Sequence, residues 1–158
     1  MLFNKKNIEK LWVYIFNKKK NYLIFSIVVL IFFSFNKAYS INICDKLGAL
    51  EADPKKTSKP VLFEDFDAKK IIINCTNALI KAKNSDNISR FYLQRARGFL
   101  KIGSINDAIS DLNKSYELGY PAAAFALATL FYLGDDVTQD FELAKKLFFE
   151  SYNLGVIW

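Results

Sequence analysis

Residues 119–155 read GYPAAAFALATLFYLGDDVTQDFELAKKLFFESYNLG, and this stretch decides the fold. It opens on Leu118-Gly119 and closes on Leu154-Gly155, so one dipeptide recurs after 36 residues. Self-similarity at a period in the thirties marks helical repeats, where each unit covers the apolar face of its neighbour. The spacing predicts a first helix from Pro121 to Leu133. Proline suits the first turn, where its missing N–H has no partner anyway. Ala123, Leu127, Leu130 and Phe131 form one apolar face, and the surrounding alanines let another helix approach. Gly134 is a natural C-terminal stop. Asp135, Asp136 and Thr138 make the turn, and Thr138 or Asp140 supplies the next cap. A second helix is predicted over 139–154, with Phe141, Ala144, Leu147, Phe148 and Ser151 on one face. Lys145 and Lys146 lie on the other.

The stretch resembles the Sel1-like repeat over 119–155. Ala123, Leu127-Ala128, Phe131, Gly134, Asp136-Val137, Asp140-Phe141, Ala144, Leu147-Phe148, Ser151-Tyr152 and Gly155 follow that family's order. Ala128 and Asp136 stand where the family has glycine, and Ser151-Tyr152 where it has an alanine pair. Residues 89–120 are similar to a tetratricopeptide unit: Tyr92, Ala96 and Phe99, a turn at Gly103, then Ala108 and Leu112. Arg95 and Ser115 depart from it. Ser104 with Asp107 reads as a capping box.

The resemblance implies an all-α chain: a short α-solenoid of antiparallel helix pairs, with helices predicted near 67–83, 89–102, 104–118, 121–133 and 139–154. Such stacking leaves a groove lined by the first helices of the pairs. Its candidate lining is Tyr92, Arg95, Phe99, Phe125, Thr129 and Tyr132. Aromatics beside an arginine are common interface anchors; packing in the core is the competing reading for each. Beyond Gly155, either Val156, Ile157 and Trp158 fold back as a lid or the last helix face takes a partner. Self-association through that face is one form of the second reading.

The other end of the chain has a different composition. Residues 1–40 carry seven lysines and one acid, Glu9, and residues 22–35 read YLIFSIVVLIFFSF. Basic head, apolar core and Ala38-Tyr39-Ser40 describe a secretory signal peptide cleaved after Ser40. The alternative is an uncleaved signal anchor, for which 14 apolar residues are short against about 20 for a span. Under either reading the lysines stay inside and the rest faces outward: periplasmic or extracellular once cleaved, or anchored in the cytoplasmic membrane. Of 22 basic and 16 acidic residues in the chain, 1–40 hold seven and one, so the remainder is neutral overall. That excludes a folded part with the strong net positive charge of a nucleic-acid reader. Arg90, Arg95, Arg97 and Lys101 cluster on one predicted helix and read as a solvated face.

Residues 41–66 are expected to be an irregular lead-in to the helical domain, 67–158. Cys44 and Cys75 are the two cysteines, and beyond an export signal such a pair reads as a disulfide. Two separate buried thiols are the alternative. The lead-in also resembles that of exported repeat proteins, through Cys44-Asp45, Leu47, Pro54, Asp65-Phe66-Asp67 and Cys75.

The chain contains no histidine, so the commonest general base and metal ligand is missing. Two acidic groups, Glu64-Asp65-Phe66-Asp67 and Asp135-Asp136, fall where helix starts and turns favour negative charge. No catalytic, cofactor-binding or metal-binding residue is nominated. The expected function is a non-catalytic adaptor or assembly factor that binds a protein outside the cytoplasmic membrane. Its membrane contact is confined to 1–40, and it binds no nucleic acid and no cofactor. The alternatives are a small envelope hydrolase or sugar-binding protein using the acidic pairs, and a membrane-anchored structural subunit.

Overall fold

The computed structural model describes residues 41–157; the signal peptide or anchor expected over 1–40, and Trp158, lie outside the described residues. Within that range the chain is all-helical. Its elements are α1 (Ile43–Gly48), α2 (Ala68–Lys81), α3 (Ser85–Lys101), α4 (Ile105–Glu117), α5 (Pro121–Leu133) and α6 (Phe141–Asn153). The five longer helices pack in chain order, each on the next, and α1 lies on both α2 and α3.

Local chemistry sets the boundaries. Asn42, Asp67, Asn84 and Asp140 cap α1, α2, α3 and α6, each side chain accepting a first-turn N–H. The cap at Asn84 starts α3 at Ser85, ahead of the Ser89 boundary drawn from the tetratricopeptide pattern. Asp140, not Thr138, caps α6, which begins at Phe141. The expected capping box at α4 is not made: Ser104 Oγ donates to Asp107 Oδ2 at 2.8 Å and caps no backbone N–H, and Ser104 N donates to Phe99 O. The lead-in is also less irregular than its sequence suggests, since it contains α1.

Three helices end by one device. Gly103, Gly119 and Gly155 take φ of +74°, +74° and +92°. At each, the glycine N–H and the N–H after it turn back onto helix carbonyls, as in Leu100/Phe99, Tyr116/Ser115 and Tyr152/Ser151. This is a Schellman motif. It extends the 36-residue recurrence into the interior. Ala108 and Ala144 are both buried, as are Ser115 and Ser151, and Tyr120 and Val156. Of the expected lid, Val156 is buried but Ile157 is 80% exposed, and Phe149 and Tyr152 on α6 are 68% and 61% exposed.

The core has two parts. One gathers Leu93, Ala96, Ala108, Leu112, Tyr120, Leu127 and the alanines of α5, with Leu147 of α6. The other gathers Cys44, Phe66, Ile71, Cys75, Ala78 and Phe91 around the lead-in. The Cys44–Cys75 disulfide sits in the second. At Gly98 a Cβ would come within 2.9 Å of Ile72 Cγ1, so the close approach of α2 to α3 requires glycine.

Candidate functional site

α5 is apolar nearly all round, as a helix covered on several sides must be. α6 is amphipathic and returns beside it after Gly134, whose φ of +71° ends α5. Gln139 Nε2 donates to Tyr132 O at 2.9 Å and Asp140 N to Phe131 O at 3.0 Å, which holds the turn against α5. The two helices leave between them an open pocket of about 480 Å³. Phe125, Thr129 and Tyr132 line it from α5, and Phe141, Lys145 and Phe148 from α6. Its rings meet edge to face, Phe125 with Phe148 at 5.7 Å and Tyr132 with Phe141 at 5.7 Å. Tyr132 and Phe141 are 53% and 56% exposed. Lys145 is exposed at the rim and makes no ion pair among the described residues. The arrangement suits an apolar group with negative charge beside it.

The six nominated groove residues divide between two places. Phe125, Thr129 and Tyr132 line the pocket. Tyr92, Arg95 and Phe99, on α3, do not. Arg95 is engaged within the fold: it reaches Asp111 by two bonds, 2.6 and 2.8 Å, and Thr76 Oγ1 at 3.0 Å. It also stacks on Tyr92 and Phe99. The Asp111 hydrogen bond pushes the Arg95 pKa up. The pocket residues from α6, namely Phe141, Lys145 and Phe148, were not nominated. Read as the core face of their helix or its solvated side, they gave no sign that a pocket would form between them and α5.

The basic cluster on α3 is not the solvated face expected from its sequence. Arg90 and Arg97 are buried and Lys101 is half-buried, and all three hold the lead-in. Arg90 Nε reaches Asp45 Oδ1 at 2.7 Å, and Gln94 Nε2 joins the same oxygen at 3.1 Å. Burial is the largest influence and works against the Arg90 charge, but the Asp45 hydrogen bond together with the charges of Asp45, Tyr120 and Asp53 outweighs it and the pKa is raised. Arg97 donates to Gly48 O, Ala49 O and Val61 O at 2.7, 2.8 and 2.8 Å. Burial pulls its pKa down to about 10; three carbonyl acceptors stabilise the cation, so it is charged at neutral pH. Lys101 Nζ donates to Phe63 O, Glu64 O and Phe66 O at 2.8, 2.8 and 2.7 Å. Ser58 Oγ donates to Asp45 O. Gln94 Oε1 lies 2.9 Å from Cys44 Sγ; a bridged sulfur carries no hydrogen, so this is a close contact only. Further along, Tyr120 donates its hydroxyl to buried Asp53 at 2.8 Å. Burial raises the Asp53 pKa, and burial beside that carboxylate raises that of Tyr120.

The acidic groups sit at a helix start and a turn. Asp67 caps α2 through Lys70 N, and this hydrogen bond lowers its pKa. Glu64 and Asp65 are exposed, as are Asp135 and Asp136 in the α5–α6 turn. Among the described residues no cluster of histidine, cysteine or carboxylate side chains could hold a metal ion, and no helix is long and apolar enough to cross a membrane. The chain matches no family model, no curated protein and no solved structure.

Proposed function

We propose that residues 41–157 form a non-catalytic protein-interaction module, built as a short solenoid of tetratricopeptide-like and Sel1-like helix pairs and working outside the cytoplasmic membrane as an adaptor or assembly factor. One observation carries the reading: the open pocket between α5 and α6, with half-exposed Tyr132 and Phe141 at its wall and Lys145 at its rim. Aromatics grouped around a concave apolar surface are the usual anchors of protein interfaces. The Cys44–Cys75 bridge supports the compartment, because such bonds persist where the surroundings are oxidising. The 36-residue recurrence of buried positions supports the repeat reading.

The test is site-specific photocrosslinking of the full chain in intact cells. The crosslinker replaces Tyr132 or Phe141 in the pocket, and exposed Lys83 before α3 serves as the control. The reading expects one protein captured from both pocket positions, not from Lys83, and lost when Thr129→Arg fills the pocket. Capture that is equal at Lys83, or unaffected by Thr129→Arg, would overturn it.

A further inference from the structure

The recurrence suggests what the pocket is shaped to hold. Leu112 of α4 is fully buried, in a cluster that includes Ala123 and Leu127 of the following helix, α5. The residue one period later is Phe148 of α6, which packs only partly on the core and lines the pocket instead. Tyr116 is half-buried, whereas Tyr152, one period on, is 61% exposed. Asn113 gives way to Phe149, which is 68% exposed. The second helix of each unit thus offers the same row of positions. On α4 the row is covered at Leu112, which shares a core cluster with the buried small-residue side of α5, Ala122, Ala123, Ala124, Leu127 and Ala128, while Asn113 stays exposed. One substitution changes the chemistry of the second row: Lys145 stands one period after half-buried Ile109.

We propose that the α5–α6 pocket receives an α-helix of a protein partner, with small residues and a leucine on its contact face and an acidic side chain set against Lys145. The inference rests on the interaction-module reading and specifies the partner. A helix laid in an apolar groove is a common mode of recognition. α5 supplies the template for the contact face, since it already packs on the equivalent surface of α4. Lys145 supplies the departure from that template, because a cation at the rim favours a carboxylate and selects orientation.

The probe is a labelled 20-residue helical peptide carrying an Ala-Ala-x-x-Leu-Ala seam with glutamate beside it; its counterpart carries lysine at that place. Binding to the full chain in mild detergent is followed by fluorescence anisotropy, and peptide helicity by circular dichroism. The glutamate peptide is expected to bind about five- to tenfold more tightly, a ratio set by one rim charge. Lys145→Glu should reverse the preference, and the bound peptide should be helical. Equal affinities, or a preference that Lys145→Glu leaves untouched, would overturn the proposal. So would peptide binding seen only with Trp158→Ala, which would assign the pocket to the chain's own end. Concentration-dependent self-association in sedimentation, abolished by Thr129→Arg but indifferent to Lys145→Glu, would assign it to a second copy. If Tyr132 and Phe141 capture a protein in cells while neither peptide binds, the helical partner falls and the interaction module stands. If they capture nothing, both fall.

Discussion

Replacing Arg97 by Met removes a buried cation and leaves three carbonyls of the lead-in, Gly48 O, Ala49 O and Val61 O, without their donor. Hydrogen bonds to a charged group contribute roughly 1.5–3 kcal/mol each, so the gross loss is about 5–9 kcal/mol. Against it stands the desolvation that lowers the Arg97 pKa to about 10, which the methionine variant no longer suffers. The difference should be close to the loss of one partner from a buried charged network, about 3–5 kcal/mol. A domain of this size has about 5–15 kcal/mol in all, so the variant should be visibly fragile. Urea unfolding of the full chain, followed by circular dichroism, measures the loss directly. Arg97→Lys keeps the charge but not the planar fork, and should recover less than half. Because Arg97 grips both sides of residues 49–61, trypsin should cut faster at Lys55 and Lys56, which are exposed in that segment. A loss below about 1 kcal/mol, taking the lower edge of the range for burying an unpaired carbonyl, would refute the assignment of Arg97 as the tether.

Reduction of the Cys44–Cys75 bridge, which spans a sequence separation of 31, should lower stability by about 3–4 kcal/mol in the chain-entropy model. Free alkylation of both thiols in protein taken directly from cells would contradict the bridge. Asp53 has its pKa raised above 3.8 by burial, so the folded chain binds that proton more tightly than the unfolded one. Stability from this group is present at low pH and is withdrawn as pH rises from 3.8 through the raised value. Asp53→Asn keeps an acceptor for Tyr120 and removes the slope; its thermal midpoint relative to the parent should therefore climb across that window, and parallel profiles would refute the account. Gly134→Ala forces a side chain into a φ of +71°, with its Cβ 2.6 Å from Gln139 Cβ. It should cost about 1–2 kcal/mol from the backbone alone and weaken capture at Tyr132; an unchanged thermal midpoint would count against it.

The helices were legible because their signals are local. Pro121, Gly134 and Asp140 mark boundaries through their own backbone preferences, and the predicted 121–133 helix is the observed one. The cysteine pairing was legible because two residues leave one pairing. The role of α3 was not. Arg90, Arg97 and Lys101 look like solvent-facing charges in any helical pattern, because their acceptors are Asp45 and backbone carbonyls between 48 and 66, far off in sequence. Backbone carbonyls carry no sequence signature at all. The pocket was half legible for a similar reason. Helical spacing places Phe125, Thr129 and Tyr132 on one face, but their companions Phe141, Lys145 and Phe148 are set by how α6 crosses α5.

Where the charges go explains what is left for recognition. The lead-in occupies Arg90, Arg97 and Lys101, and Asp111 occupies Arg95, so α3 offers little uncommitted cation to a partner. One period after Asp111 stands Leu147, buried in the core. The first unit is therefore tied by ion pairs where the second is packed by side chains. Buried ion pairs position chain segments more than they stabilise them, which fits a lead-in that has few apolar residues of its own between 51 and 60. In the pocket that α5 and α6 form, aromatic area would supply affinity for the proposed partner and be indifferent to its direction. Orientation must come from a polar group, and among the residues lining it Lys145 is the one charged side chain. If Lys145→Glu left both the affinity and the choice between glutamate and lysine peptides unchanged, this division of labour between ring and charge would be wrong, even with the helices in place.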